Sequence, residues 1–346
     1  MLAGSDMTDL IARARAGDGE AFRELTEPYR RELQVHCYRM LGSVQDAEDT
    51  VQETLLAAWQ AFGGYTAERA SLRTWLYKIA TNRCLNALRS GRRRAARGWD
   101  VPTVKPPEAT RLGEVVWLQP YPDALLEDVA GATSGSGAPL GPEARYEQAE
   151  SISLAFVTAL QVLPPRQVAV LILRDVLGFH ASEVAGMLEA TVESVNSALK
   201  RARASLRRQL PPGDGPEPPA AGSPSEDAIV TRFVSAWQSA DLDALVALLT
   251  DDAFVSMPPM PFEYAGRDAV VSLVASLFGS GRRFDLVPTR ANGQPAFGAY
   301  LRSSDGIRHG IGLYVLTLSG DRIRAMFRFE ASVLPWFGLP RSLPSR

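Results

Sequence analysis

LPPRQVAVLILRDVLGFHASEVAGMLEATVESVNSALKRARASLRRQL, residues 163–210, has the pattern of consecutive short helices separated by tight turns. Residues 177–179 end one helix, 180–188 form a short second helix, and 189–191 turn into a long third one. Two helices joined by a turn of three to four residues, with Lys and Arg ending the second, are typical of a helix-turn-helix whose second helix fits the DNA major groove. An ordinary helical hairpin with a solvated basic face would share this pattern. The stretch therefore predicts contact with duplex DNA and leaves the hairpin as the alternative.

Helical spacing separates an inner from an outer face in this segment. The apolar positions that face inward are Val184, Ala185, Leu188, Val195 and Leu199. The positions left available to DNA are Glu193, Ser194, Asn196, Ser197, Lys200, Arg201 and Arg203. Charged and amide side chains of this kind contact phosphates and base edges.

A second helix, DAEDTVQETLLAAWQAF at residues 46–62, carries an acidic stripe. Spacings of three and four place Asp46, Asp49 and Glu53 on one face, away from the apolar face. Most such stripes are simply solvated. An acidic surface that binds a basic protein partner is the alternative.

The next helix, SLRTWLYKIATNRCLNALRSGRRRAAR at residues 71–97, mixes aromatic, amide and basic side chains. Rings can stack on unpaired bases, amides can read base edges, and guanidinium groups can hold phosphates. The five arginines among residues 89–97 support this interpretation. Trp75 could equally be an ordinary core residue.

Composition describes an ordinary multidomain protein. At 346 residues the chain exceeds what one core usually serves, and its 46% hydrophobic content contains no apolar run long enough to cross a bilayer. The N-terminus lacks the pattern of an export signal, so we expect a cytoplasmic protein with no membrane contact. Cys37 and Cys84 have no partner at metal-ligand spacing, so we expect neither a disulfide nor a metal site. The net charge of −2 hides a separation of acidic from basic segments.

Two segments rich in Pro, Gly and Ser separate the folded parts. The first, 98–142, ends in GATSGSGAPLGP and contains WLQPYPDALLED at 117–128, which is apolar enough to dock on a folded neighbour. The second is PPGDGPEPPAAGSPS at 211–225. Beyond it we expect helices at 228–249 and 267–279, followed by strands near 283–290, 296–301, 309–319 and 322–332. This order predicts an α+β domain with a mostly antiparallel sheet.

These segments together resemble the extracytoplasmic-function RNA polymerase sigma factors. DAEDTVQETLLAAW and RTWLYKIATNRCLNALR resemble sigma domain 2, and residues 163–206 resemble sigma domain 4. The third part resembles the cone-shaped SnoaL-like fold, and WLQPYPDALL fits the sigma factors that carry such a module. The expected fold class is multidomain, with two all-α sigma domains, the second containing the helix-turn-helix, before an α+β SnoaL-like domain. The expected limits are 7–97, 143–210 and 226–340, with linkers 98–142 and 211–225 and a docking island at 117–128.

The resemblance implies roles for particular residues. Core RNA polymerase would be bound through its β′ clamp helices and β flap, and the clamp contacts would be Asp46, Asp49, Gln52 and Glu53. The melted promoter −10 element would be held by Trp75, Lys78, Asn82, Asn86 and Arg89. The −35 element would be read by Asn196, Ser197, Lys200, Arg201 and Arg203. Relatives often have an apolar or aromatic residue where this chain has Lys200 and a basic one at Asn196, so their −35 sequence preference does not transfer.

The third domain is expected to enclose a pocket for a small-molecule ligand. The candidate lining residues are Trp237, Met257, Met260, Tyr264, Arg267 and His309. His309 lacks a convincing acid or base partner, so we expect no catalysis and no cofactor.

The overall expectation is a sigma factor whose last domain regulates its activity. One alternative is a helix-turn-helix regulator that acts without polymerase, but this would leave residues 46–97 unexplained. Another is a SnoaL-like enzyme with a DNA-binding front end, which turnover by the last domain would reveal.

Overall fold

The computed structural model describes residues 4–90, 96–99, 101, 104–126, 151–209, 216–303 and 306–344. Two compact units are present, one made of residues 1–93 and 125–211 and the other of 94–124 and 212–346. Several sequence predictions fall outside the described residues: the arginines at 92–94, the glycine-rich stretch 131–142, the end of the docking island at 127–128, and the helix limits at Glu143 and Leu210.

The described part of the first unit is helical. Its N-terminal part contains α1 (Gly4–Arg15), α2 (Gly19–Leu41), α3 (Val44–Ala61) and α4 (Leu72–Arg89). Its C-terminal part contains α5 (Leu154–Gln161), α6 (Pro165–Leu171) with a π-helical turn (Ile172–Val176), α7 (Ala181–Leu188) and α8 (Val192–Gln209). The predicted all-α class of these parts is confirmed.

Serine caps fix where the two candidate site helices begin. The Ser43 hydroxyl accepts a hydrogen bond from the Asp46 backbone N–H at the start of α3, and the Ser71 hydroxyl accepts one from Thr74 at the start of α4. Such caps satisfy N–H groups that the first helical turn leaves unpaired.

A buried histidine joins α2 to α4. His36 is fully buried, with its Nε2 2.9 Å from the Thr81 hydroxyl oxygen and its ring 5.0 Å from the Tyr77 ring in an edge arrangement. Burial, with smaller contributions from Arg39 and Arg73, lowers the pKa of His36 to about 3. The imidazole is therefore neutral in the folded protein at neutral and mildly acidic pH.

The second unit combines helices with one curved sheet. Its helices are α9 (Pro224–Ser239), α10 (Leu242–Val246) and α11 (Arg267–Gly279), and a 3-10 segment spans Ala331–Phe337. Its strands are β1 (Arg111–Leu112), β2 (Leu249–Ser256), β3 (Phe262–Ala265), β4 (Phe284–Ala291), β5 (Gln294–Arg302), β6 (Arg308–Ser319), β7 (Arg322–Glu330) and β8 (Ser342–Leu343).

The strand order is β1-β3-β2-β7-β6-β5-β4, with β8 paired to β6. β2 and β7 are parallel and the other neighbouring pairs are antiparallel. The predicted α+β class with a mostly antiparallel sheet is confirmed.

The predicted single helix at 228–249 is wrong. The first helix begins earlier, at Pro224, and ends where Ala240 adopts a left-handed conformation with φ of 55°. The Asp241 side chain then accepts from Ala244 and starts a new short helix, α10. Residues 249–256 and 262–265 form strands that were not predicted. Apolar residues at helical spacing and interspersed polar residues hid the alternation that is typical of a strand.

The segment between the two helical parts folds with the sheet of the second unit. β1 pairs with β3 as an edge strand, and the Tyr264 hydroxyl donates to the Pro107 carbonyl oxygen at 3.0 Å. Farther along, the Tyr121 N–H donates to Asn292 Oδ1 at 2.7 Å, and the Asn292 N–H donates to the Tyr121 carbonyl at 2.8 Å. Trp117, Leu118 and Tyr121, from the predicted docking island, are buried. We call residues 96–124 the docked linker.

We predict that His36 makes the first unit less stable in acid. Its folded pKa of about 3 lies below the ordinary 6.5, so the stabilisation is complete above pH 6.5 and is lost as the pH falls toward 3. Within that window the free energy of unfolding should fall by about 1.4 kcal/mol per pH unit relative to a His36→Gln variant. Denaturant unfolding followed by the helical circular-dichroism signal from pH 8 to 4 measures this slope. His309→Gln, at an exposed histidine, is the control; equal slopes for wild type and His36→Gln would contradict the prediction.

Candidate functional site

The acidic face of α3 is open to solvent. Asp49, Gln52 and Glu53 are exposed, and Asp46 is half-buried at the start of the helix. Glu53 lies 4.0 Å from Arg83 of α4, at the limit of an ion pair. Leu56, which follows Glu53 by three positions, has 58% of its surface exposed. Sequence reasoning missed Leu56, although spacings of three, four and seven place it on the same face as Glu53, Gln52 and Asp49. A single exposed leucine is common on protein surfaces, but a partner that covered the acidic stripe would also bury Leu56.

The predicted −10 residues lie along α4 in different environments. Trp75 is half-buried, with its ring 5.1 Å from Tyr65 and 5.9 Å from Phe62, so part of it serves the core. Asn82 is half-buried, whereas two residues near the helix end are exposed and joined, with Arg89 Nη1 donating to Asn86 Oδ1 at 3.3 Å. The helix end therefore presents amide and guanidinium groups to solvent.

The N-terminal half of α4 contacts the helix-turn-helix part within the first unit. The Thr74 hydroxyl donates to Glu183 of α7 at 3.2 Å, and Lys78 Nζ lies 3.6 Å from a Glu189 carboxylate oxygen. The ring of buried Phe179 lies 5.2 Å from the Tyr77 ring and 4.8 Å from the Arg73 guanidinium. Lys78, a predicted −10 contact, is thus engaged by the part of the chain that would read the −35 element. We call this set of contacts the α4–α7 contact.

The helix-turn-helix geometry arises from a tight turn. α7 ends at Glu189, whose left-handed backbone (φ 50°) reverses the chain direction before α8. Val195, Leu199 and Ala202 of α8 are buried. All five predicted −35 residues are exposed: Asn196, Ser197, Lys200, Arg201 and Arg203.

The fifth predicted −35 residue, Arg203, has a partner within the protein. Its guanidinium group makes two hydrogen bonds to the Asp175 carboxylate, at 2.8 and 2.7 Å. Arg203 remains half exposed, but its ion pair with Asp175 restrains the side chain, so it is less available than the other four to bind a phosphate.

The second unit contains a cavity of about 400 Å³. Of the candidate pocket residues, Trp237 and Met257 line it and Met260 does not. Tyr264 instead holds the docked linker, and Arg267 donates to the Leu249 carbonyl oxygen. His309 is exposed on β6, where it pairs with Ser342 of β8. The sequence could not place Tyr264 because it lies on β3, a strand that was missed, and strand register decides which residues of the sheet face the cavity.

Within the described ranges, no group of three or more His, Cys, Asp and Glu side chains could hold a metal ion. In the same ranges, no helix has the length and hydrophobicity needed to span a bilayer.

Comparison with known protein families gives three matches along the chain. The model for sigma-70 region 2 matches residues 25–94, that for sigma-70 region 4 matches residues 153–206, and that for the SnoaL-like domain matches residues 230–331.

Individual relatives are similar over different lengths. The chain is 43% identical over 340 residues to the ECF RNA polymerase sigma factor SigG of Mycobacterium tuberculosis, covering 96% of this chain and 86% of SigG. It is 26% identical over 202 residues to the ECF RNA polymerase sigma factor SigW of Bacillus subtilis, covering 58% of this chain and 94% of SigW. Among solved structures, the extracytoplasmic function sigma factor SigJ of M. tuberculosis superposes with a TM-score of 0.60 at 22% identity, covering 92% of this chain and 99% of SigJ, which shows a shared fold.

Proposed function

Because this chain belongs to the extracytoplasmic-function RNA polymerase sigma factors, we propose that it binds core RNA polymerase and directs promoter-specific initiation of transcription. The observation that carries this is 43% identity to one such factor over 96% of the chain. A sigma factor performs no reaction of its own, since nucleotidyl transfer belongs to the polymerase core. A helix-turn-helix regulator acting alone would not account for the region 2 match at 25–94. A protein that works with RNA polymerase works in the cytoplasm.

We retain the predicted domain limits as part of the proposal. Residues 7–97 would bind polymerase and the −10 element, 143–210 would bind the −35 element, and 226–340 would regulate. One change follows from the packing of the docked linker: residues 96–124 belong with the regulatory domain, so the domain that begins at residue 7 ends before residue 96.

The α3 face is the proposed surface for the β′ clamp helices. The exposed carboxylates of Asp49 and Glu53 would steer a basic partner, and the exposed Leu56 side chain would be buried on contact. Burying a leucine side chain contributes about 1.5 to 3 kcal/mol, more than an exposed ion pair usually does.

We predict that Asp49→Arg combined with Glu53→Arg abolishes binding to core polymerase and leaves the fold intact, since exposed residues contribute little to stability. Glu24→Arg combined with Glu27→Arg, an exposed acidic pair on α2, makes the same charge change elsewhere and should bind normally. Pull-down with core enzyme measures binding, and circular dichroism checks folding. Normal binding by the α3 variant would return the acidic stripe to an ordinary solvated face.

The exposed side chains of α8 are the proposed −35 contacts, and those at the end of α4 are the proposed −10 contacts. Arg201 is the most informative of them, because Arg203 already binds Asp175. A guanidinium group on the outer face of a recognition helix can bind a guanine edge through two hydrogen bonds or a single phosphate.

We predict that Arg201→Ala weakens promoter binding by the holoenzyme by about 1 to 3 kcal/mol if the side chain reads a base. If it holds a phosphate, the salt dependence should instead fall by about one unit of slope. Titration of labelled promoter at several salt concentrations separates the two cases. Arg23→Ala, at an exposed arginine of α2, should change neither quantity, and the same result for Arg201→Ala would contradict the −35 assignment.

The α4–α7 contact must open for promoter recognition. The −10 and −35 elements are centred about 25 base pairs apart, roughly 85 Å at 3.4 Å per base pair. Thr74 and Glu183, on the two reading parts, are joined by a hydrogen bond of 3.2 Å. Both elements cannot be read at once in this arrangement, so we propose that it is an inactive one.

The docked linker gives the last domain a means to regulate this opening. It lies in sequence between the two reading parts, and the sheet of the last domain binds its backbone at β1 and at Tyr121. Release or retention of the linker would change how far the two parts can separate.

We predict that releasing the linker changes promoter-directed transcription several-fold. Trp117→Ala removes a buried anchor, and Asn292→Gly removes the acceptor of the Tyr121 N–H while still permitting the positive φ of 56° at that turn. Run-off transcription with core polymerase measures the effect. Asp321→Ala, at an exposed turn of the same sheet, should behave as wild type. If both linker variants also match wild type, the last domain does not regulate through the linker.

A further inference from the structure

The cavity of the second unit has the size and lining of a ligand site. Its volume of about 400 Å³ falls within the range of small-molecule pockets. Most of its wall is apolar and includes Met257, Leu273, Leu277, Phe284, Leu301 and Met326. A hydrocarbon body would therefore be well accommodated.

One side of the cavity is polar. The Trp237 indole is buried, and its Nε1–H has no hydrogen-bond partner. The Trp237 ring lies 5.1 Å from that of Tyr314, another lining residue. Arg282 and Arg328 also line the cavity, and their charges oppose the effect of burial, which raises the pKa of the Tyr314 hydroxyl. Arg328 of β7 is paired directly with Tyr314 of β6, so these two side chains lie on the same face of the sheet.

The charge of this lining is positive. Arg328 is 8% exposed, and its guanidinium group donates to the Ile311 carbonyl oxygen at 3.2 Å, so the cation is largely withdrawn from water. Of the described lining residues, Glu330 alone carries a carboxylate, and it lies 2.6 Å from the Arg97 guanidinium. An anionic ligand group would accept hydrogen bonds in which both partners are charged, which are stronger than those that a neutral group could accept, and a cationic group would be repelled.

We propose that this cavity binds a small apolar acid, with its hydrocarbon body against the apolar wall and its anionic group held by Arg282, Arg328 and the indole N–H of Trp237. The buried donor without a partner would then have an acceptor.

The ligand would also touch the docked linker. Trp99 and Val101 line the cavity, and Trp99 Nε1 donates to the carbonyl oxygens of Val104 and Val101 at 2.8 and 3.0 Å. Arg97 of the same segment pairs with Glu330. Occupancy would therefore stabilise the docked linker. This effect on transcription rests on the function proposed above, but the binding site itself does not.

The first test uses octanoate and octan-1-ol as probes of the full chain, by isothermal titration calorimetry without polymerase. The two probes share an alkyl chain and differ in charge. We expect saturable binding of one octanoate per chain, and binding of octanol at least ten-fold weaker. Equal affinities, or no saturable octanoate binding, would overturn the proposal.

Substitution of the arginines locates the site. Arg282→Met and Arg328→Met should each weaken octanoate binding at least ten-fold and leave octanol binding nearly unchanged. Arg282 is half-buried, so its variant carries the test even if Arg328→Met does not fold. Arg232→Met, at an exposed arginine of α9 outside the cavity, is the control. Wild-type octanoate affinity in a folded Arg282→Met variant would overturn the assignment of the anionic end. Because no polymerase is present, this failure is distinct from failure of the transcription proposal.

Discussion

The reciprocal hydrogen bonds between Tyr121 and Asn292 are the constraint on which the arrangement of the chain depends. They attach the docked linker, which lies in sequence between the two helical parts, to the sheet of the second unit. The pairing of β1 with β3 extends this attachment along the sheet edge. Each bond contributes only about 1 kcal/mol, but the buried side chains of Trp117, Leu118 and Tyr121 add to it. Residues 96–124 are therefore packed as part of the second unit, although a segment of this composition would be expected to be a free tether.

On the proposed function the first unit has the opposite requirement, because its α4–α7 contact would have to break. Its polar members are exposed or partly exposed and contribute less than about 1 kcal/mol each. Burial of Phe179 adds about 1.5 to 3 kcal/mol. Other bonds also join the two helical parts: the Arg39 guanidinium group donates to the carbonyl and hydroxyl oxygens of Ser151, and the Gln161 amide donates to the Arg39 carbonyl oxygen. On the proposed function, polymerase binding would have to offset all of these contacts.

The helical parts could be predicted from the sequence because a helix depends mainly on residues that are close together in the chain. Examples are the turn at 177–179, the apolar spacing in α8 and the acidic spacing in α3. β2 was missed because its parallel partner β7 lies about 70 residues away, and its polar centre at Asp251 and Asp252 conceals alternation. The same long-range pairing decides which residues face the cavity, which is why Trp237 was found and Arg282 and Arg328 were not. The position of Leu56 on the acidic face could have been predicted from spacing alone. Its apolar neighbours in the sequence suggested instead that it was a core residue.

The discontinuous makeup of the second unit has a consequence for synthesis on the ribosome. Residues 96–124 emerge first, but the sheet that buries them is complete only after residue 344. At about 5 to 20 residues per second, the delay is roughly 10 to 40 seconds. During this time the nascent chain presents Trp117, Leu118 and Tyr121 to water or to a chaperone, and the finished domain has high contact order. A chain released after residue 210 but before residue 344 would have both DNA-reading parts and no complete sheet to hold the segment between them.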